Sequence, residues 1–264
     1  MGKPESAALP PSGEAASERK SIQVISRAAA ILRALEKHPN GLSLGEISRL
    51  VDLPRSTVQR IVDALDHESL LIAASPTHGV RLGPTLLTLA AATRFEVAEL
   101  MRPMLEAIAR ETGESVDLAV ADQDKVVFID QVAGSHRLTA VSAVGVSFPL
   151  HCSANGKAVL ALMDDLELRR LRKRMKLRRQ TPATITSWER LDEEIAQVRA
   201  TGVAFDREEN SLGISAVAVA LRSPAGELAC ISIPVPTQRF AAKEKELAAL
   251  LLAHRDAMRQ KLER

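Results

Sequence analysis

The chain has 264 residues, 46% apolar and 26% charged, with a formal net charge of +2. That length favours two domains with real hydrophobic cores. The two cysteines, Cys152 and Cys230, have neither CxxC nor metal-ligand spacing, and no apolar run approaches about 18 residues, so a disulfide framework, a cysteine metal site and a membrane-spanning helix are excluded.

Aromatic residues make up only 2% and tyrosine is absent, which argues against a stacking-based reader of single-stranded nucleic acid. The expected setting is a reducing cytoplasm, without membrane attachment, bound metal or cofactor. The N-terminus carries no apolar signal core. Its match to M-G-x-x-x-S (Met1, Gly2, Ser6) is interrupted by Pro4 and followed by no second membrane signal.

Residues 1–19 are rich in Pro, Ser, Ala, Gly and Glu and read as a disordered tail. Ile25, Ala28, Leu32 and Leu35 then fall on one helical face, and the helix stops near Pro39-Asn40-Gly41. Ser43-Leu44-Gly45-Glu46 is a capping box: the Ser43 hydroxyl can accept from the Glu46 N–H while the Glu46 carboxylate accepts from the Ser43 N–H. Behind it Leu44, Ile47 and Leu50 form a second apolar face. Asp52-Leu53-Pro54 breaks it, because the residue before a proline is pushed out of α geometry. A third helix follows, with Val58, Ile61, Val62 and Leu65 inward.

Short strands at 70–72 and 80–82, joined by A-A-S-P-T-H-G, add a hairpin. Residues 20–83 therefore read as a winged helix-turn-helix. From Arg19 to Gly83 the chain carries nine Lys/Arg against six acids, a mildly basic module suited to anions. The exposed start of the third helix is Arg55, Ser56, Thr57, Gln59 and Arg60. N-terminal residues of such a helix point at bases and phosphates of duplex DNA. Arg55 and Gln59 are the candidate base readers. Ser43, Ser56, Thr57 and Arg60 at the helix starts are the candidate backbone contacts, and Thr77 and Arg81 on the wing are candidates for the backbone or the minor groove.

From Pro84 to about residue 101 a helix-compatible run reads as a linker helix. In residues 102–264 the period changes. Strands are expected at 116–120, 126–129, 213–222 and 228–235, and helices at 158–175, 187–199 and 241–262. The mixture implies an α+β organisation whose second domain is an α/β sensor with a mainly antiparallel sheet.

The stretch H-C-S-A-N-G-K-A-V-L-A-L at 151–162 could be a thiol nucleophile, a phosphate loop or a pocket wall. A phosphate loop needs G-x-x-x-x-G-K-[ST]; His151 and Ala158 break that pattern. If 148–152 is a strand end, His151 and Cys152 point to opposite faces, which weakens a Cys–His pair. As a pocket wall the stretch works: Ser153 can N-cap a helix, Ala154, Asn155 and Gly156 let a ligand approach the backbone, and free first-turn N–H groups suit a carboxylate. Arg137 could pair with that carboxylate. Eight of the eleven residues 169–179 are basic, a solvated amphipathic helix in the ordinary reading.

Several segments resemble one family: I-S-R-A-A-A-I-L at 25–32, G-L-S-L-G-E-I-S-R-L at 41–50, D-L-P-R-S-T-V-Q-R-I-V at 52–62 and V-R-L-G-P-T-L-L at 80–87. Further on stand P-L-H-C-S-A-N-G-K-A-V-L-A at 149–161, G-V-A-F-D-R-E-E-N-S-L-G-I-S-A-V-A at 202–218 and I-S-I-P-V-P at 231–236. Over about residues 20–262 the chain resembles the IclR family of bacterial transcriptional regulators. The resemblance implies a GAF-like effector-binding domain, a homodimer or a tetramer of dimers on palindromic operators, and effector contacts at Ala154, Asn155, Asp206, Ala216, Ser232 and Pro234. Ala216 stands where a cysteine is frequent and Pro234 where a hydroxyl is frequent, so the expected effector is an organic acid larger or more apolar than glyoxylate. The resulting expectation is a transcriptional regulator modulated by a small organic acid. The alternative is a DNA-tethered enzyme using Cys152 as nucleophile. A non-specific architectural DNA binder is disfavoured by the near-zero net charge.

Overall fold

The structure, a computed structural model, describes residues 13–75, 78–92, 96–140, 142–224 and 226–262. The chain divides into two compact units, Met1–Arg94 and Phe95–Arg264. Each is described by itself.

In the first unit α1 spans Gly13–Leu35. It takes in residues 13–19, which composition assigned to a tail. Glu14-Ala15-Ala16 and Glu18-Arg19-Lys20 are strong helix formers, and that local preference prevails. The inward stripe of α1 is Ala28, Ile31, Leu32 and Leu35, whereas Ile25 is 69% exposed. The helix is longer than the core it covers, so Ile25 lies off the packed face.

Helix α2 is Leu44–Val51 and α3 is Arg55–His67. The expected capping box starts α2: Ser43 N–H donates to Glu46 Oε2 at 2.8 Å, and Glu46 N–H donates to Ser43 Oγ at 3.3 Å. Asp52 ends it in the left-handed region (φ 51°), and the Ser48 hydroxyl donates to Leu53 O at 2.6 Å, pinning the turn ahead of Pro54. Ile47, Val58, Ile61 and Val62 close the core. Strands β1 (Leu71–Ile72) and β2 (Arg81–Leu82) pair antiparallel as the wing, tied to the helices by the Leu42–Val80 bridge.

Among the described residues the segment expected as a linker helix, 84–101, is helical at 85–92 and again from 96. Helix α4 is Thr85–Ala92 and α5 is Glu96–Thr112. Val97, Met101, Leu105 and Ile108 of α5 are buried in the core of the second unit, so its apolar stripe is core rather than spacer.

The second unit is built on a six-stranded sheet in which every neighbouring pair is antiparallel. Its strands are β3 (Val116–Asp122), β4 (Lys125–Val132), β5 (Ser147–Pro149), β6 (Ala204–Arg207), β7 (Ile214–Arg222) and β8 (Leu228–Pro236), in the order β5-β4-β3-β8-β7-β6. Both faces are covered, so the side-chain alternation is large against small. Val116, Leu118, Val217, Val219, Ile231 and Ile233 face α5 and the C-terminal α9 (Thr237–Leu262). Ala119, Ala216, Ala218, Ala220 and Cys230 face α6 (Ala154–Leu162) and α8 (Trp188–Thr201). The small residues let α6 approach the sheet closely and leave room for a cavity.

The helix expected over 158–175 is broken in two. After α6, Asp164 caps α7 (Asp165–Arg172) in a second capping box, with Glu167 N–H donating to Asp164 Oδ1 at 2.7 Å. An N-cap residue takes extended backbone, which interrupts the helical run. The sequence marks β5 only as a strand end over 148–152, and β6 only through the family resemblance at Asp206. Neither carries a clear alternation of apolar and polar residues.

Candidate DNA-reading face and effector cavity

Helix α3 starts without a side-chain cap, since Pro54 has none to offer, and no acid occupies its first turn. Its positive end is therefore open to anions. Arg55, Ser56, Gln59 and Arg60 are exposed and Thr57 half-buried, all opposite Val58, Ile61 and Val62. Arg55 and Arg60 have no ion pair among the described residues. The Gln59 amide donates to Asp63 Oδ1 at 2.6 Å, which fixes the side chain along the helix.

Of the backbone-contact candidates, Ser43 is engaged internally and Arg81 is partly enclosed. The Ser43 hydroxyl donates to Glu46 Oε2 at 2.7 Å and accepts from Glu46 N–H, so it serves the cap. Arg81 on β2 is half-buried with Nε enclosed, and its stem packs beside Gly41 (φ 85°). Thr77 lies outside the described residues.

In the second unit a cavity of about 270 Å³ lies between the small-residue face of the sheet and the start of α6. Ala154, Asn155, Asp206, Ala216, Ser232 and Pro234 all line it. The sheet register brings them together: Asp206 is paired with Ala216, and Ala216 with Pro234, in one row across β6, β7 and β8. Ser153 sets the helix start, its Oγ accepting from Gly156 N–H at 3.1 Å and donating to Pro149 O at 2.9 Å. Gly156 does not face the cavity. A Cβ there would sit 2.3 Å from Leu150 Cα and O, so the residue is glycine to let the helix pass the preceding turn. Arg137 is exposed and lines no part of the cavity.

The wall also contains residues that motif reasoning missed. Phe128 and Phe148 meet edge to face at 4.9 Å between centroids and form an aromatic side. Asp117, 1% exposed, accepts from Gln131 Nε2 at 2.5 Å and from Ser142 Oγ at 2.7 Å. Burial pushes its carboxyl above the usual range. The signal was an acid inside the apolar run Val116-Asp117-Leu118, since a buried charge needs partners.

Asp206 accepts from Glu209 N–H at 2.7 Å and from Asn210 N–H at 3.4 Å. Burial, then the neighbouring Glu209 charge, pushes its carboxyl up to about 7. Beneath it Lys157, 0% exposed, donates to Glu209 Oε1 at 2.6 Å and to Glu194 Oε2 at 3.1 Å. Burial holds the Glu209 carboxyl above its usual range, against the pull of Lys157. Lys157, which sequence spacing had removed from phosphate binding, thus fixes the loop that orients Asp206. Among the described residues no lysine, arginine or histidine lines the cavity.

Cys152 offers no thiolate. It is fully buried, burial first and the nearby Asp206 and Glu209 charges next push its thiol to about 12, and its Sγ lies 3.7 Å from Asn210 Oδ1. His151 faces elsewhere, with Nε2 3.0 Å from Arg178 O. The two diverge as expected, although β5 ends at Pro149 and both residues occupy a turn. No group of His, Cys, Asp or Glu among the described residues can hold a metal ion.

Comparison with known proteins agrees with this division. Residues 24–71 match the IclR helix-turn-helix domain, and residues 89–260 match the bacterial transcriptional regulator IclR C-terminal domain. The chain is 47% identical over 233 residues to the HTH-type transcriptional regulator Rv1719 of Mycobacterium tuberculosis, covering 88% of this chain and 89% of that one. Among solved structures it is similar to the IclR of Thermotoga maritima, with TM-score 0.64 and 26% identity over 93% of this chain and 99% of the other. It also shares its fold with an IclR homologue from Microbacterium hydrocarbonoxydans complexed with 4-hydroxybenzoate, with TM-score 0.71 and 22% identity over 91% and 99% of the two chains.

Proposed function

The chain belongs to the IclR family of bacterial transcriptional regulators, and on that premise we propose that its occupancy of operator DNA is switched by a small organic acid held in the cavity beneath α6. The protein is a DNA-binding transcriptional regulator. The observation that carries the effector reading is the cavity itself, walled by Phe128 and Phe148 on one side and by the start of α6 on another. A dry cavity of about 150 Å³ holds benzene, so 270 Å³ suits one substituted ring or a branched chain. The Ala154 and Asn155 N–H groups at the α6 N-terminus suit a carboxylate. Asp206, poised near 7, can share a proton with it. That the Microbacterium relative carries 4-hydroxybenzoate agrees with an effector of this size.

In this reading the protein works in the cytoplasm as a homodimer or a dimer of dimers. Leu87 and Leu89 on α4 are 75% and 54% exposed, and Val24 and Ile25 on α1 are also bare, exposed apolar side chains suited to cover by a second copy of the chain. Effector binding then shifts the spacing of two winged helices against two half-sites, by as much as its differential affinity for the two states.

Arg55 and Gln59 read base edges, and Ser56, Thr57 and Arg60 hold phosphates. Arg55→Ala and Gln59→Ala are expected to cost about 1–3 kcal/mol each at the cognate site while leaving binding to random duplex nearly intact. Wild-type discrimination by both variants in a footprinting titration would remove the recognition assignment. Calorimetry showing tight glyoxylate binding with no response to 4-hydroxybenzoate or branched acids would remove the effector class.

A further inference from the structure

The basic run 169–179 has no role in the cavity or in the winged helix. Eight of the chain's 35 lysines and arginines fall in these eleven residues; without them the 33 acids would be in excess. All eight side chains are exposed. Among the described residues only Arg172 makes an ion pair, with Asp192, while its guanidinium stacks 4.9 Å from the centre of the Trp188 ring.

The segment is held firmly from below. Leu168, Leu171 and Met175 are buried in the core on the α6 side of the sheet. Past the end of α7 the chain is fixed by Met175 N–H donating to Leu171 O at 2.9 Å, by the His151–Arg178 contact, and by Thr181 Oγ1 donating to Glu208 O at 2.6 Å. The α7 macrodipole accounts for Arg169, Arg170 and Arg172 in its last turn. It does not account for Lys173, Arg174, Lys176, Arg178 and Arg179, which lie beyond the helix.

We propose that residues 169–179 form a second, sequence-independent surface for the phosphate backbone of duplex DNA, separate from the base-reading face of α3. The chemistry favours a polyanion over an acidic protein. Protein interfaces draw most of their energy from buried apolar and aromatic anchors, and here every large apolar side chain of the segment is turned inward or half-buried. A dense surface of cations, all but Arg172 without an ion pair among the described residues, fits a partner bound through counterion release.

The test uses the full chain and a 30-base-pair random duplex, with affinity measured across a potassium chloride series. Arg170→Gln, Lys173→Gln, Arg174→Gln and Lys176→Gln are combined; each replaces an exposed side chain without an ion pair, and circular dichroism melting reports the fold. Each lost phosphate contact lowers the slope of log affinity against log salt by about 0.9, so a fall of up to about 3 to 4 is expected. Arg170→Lys with Arg174→Lys should keep the wild-type slope. An unchanged slope in the quadruple variant overturns the proposal, as does an equal loss in the charge-conserving pair. Loss of poly-glutamate binding with DNA binding intact would also overturn it, in favour of an acidic protein. None of these outcomes bears on Arg55 and Gln59, so the regulator reading stands or falls separately.

Discussion

Replacing Lys157 tests whether the network beneath the cavity is built as the geometry implies. The Lys157 ammonium is fully buried against Glu209 and Glu194 at 2.6 and 3.1 Å. Lys157→Met keeps most of the unbranched apolar stem, one atom shorter, and removes the charge. Glu209, only 10% exposed, is then left without its cation beside Asp206. Breaking one side of a buried pair costs about 3–5 kcal/mol. At an m-value of about 2 kcal/mol/M, the urea midpoint of this unit should fall by about 2 M. Trp188, the sole tryptophan, lies on α8 with Glu194, so its fluorescence reports the right unit. The deficit should depend on pH. Burial already raises the Glu209 carboxyl, and removal of Lys157 raises it further. Below its unfolded value Glu209 is neutral in both states and the deficit is small; it grows as pH rises through the folded value. Lys157→Met/Glu209→Gln should recover most of the loss, because the uncompensated charge is gone. A midpoint unchanged in Lys157→Met, or a double variant no more stable than the single, would refute the network as the support of Asp206.

Three further outcomes follow from particular contacts. Gly156→Ala places a Cβ 2.3 Å from the Leu150 backbone, which cannot yield as a side chain can, so a loss of at least about 1–3 kcal/mol is expected in thermal melting; a wild-type melting temperature would contradict the close approach of α6. Asp206 is raised to about 7, so the stability its neutral form retains is present below the unfolded carboxylate value and lost as pH climbs through 7. Asp206→Asn should flatten that part of the stability profile, and an acid effector should bind wild type with proton uptake near neutral pH, measurable by calorimetry in two buffers of different ionisation enthalpy. Ser43→Ala removes the acceptor of the α2 capping box and should cost about 1 kcal/mol of first-unit stability; an equal loss of DNA affinity at a temperature far below melting would instead make Ser43 a phosphate contact.

The helix starts and turns of the first unit were legible in the sequence, although Ile25 and Leu50, both expected on apolar faces, are exposed. Ser43-x-x-Glu46, the Asp52-Leu53-Pro54 break and the period of Val58, Ile61 and Val62 are local signals acting within a few residues, and the observed caps and buried faces match them. Local information failed where a competing contact lies far along the chain. Val97 and Met101 carry the same spacing whether they line a linker or a core; only packing against the second sheet separates the two. The run from Ala158 looked continuous because apolar spacing carries across Met163, yet Asp164 with Glu167 satisfies more backbone groups as a new helix start.

The cavity divides in the same way. Composition and motif spacing were sufficient to exclude a phosphate loop at Gly156-Lys157, to place the small residues Ala154 and Asn155 at a helix start, and to nominate Asp206, Ala216, Ser232 and Pro234 through family resemblance. Tertiary structure alone brought Asp117 and the Phe128–Phe148 pair to the same wall, turned Gly156 against Leu150 and left Arg137 in solvent. It also converted Lys157 from a failed motif into the support of Glu209, a residue 52 positions away. The physical reason is that caps, turns and amphipathic faces are set by neighbours three or four residues apart, whereas a binding site is set by strand register and by which buried charges find partners. Those depend on contacts between distant segments that no local spacing encodes.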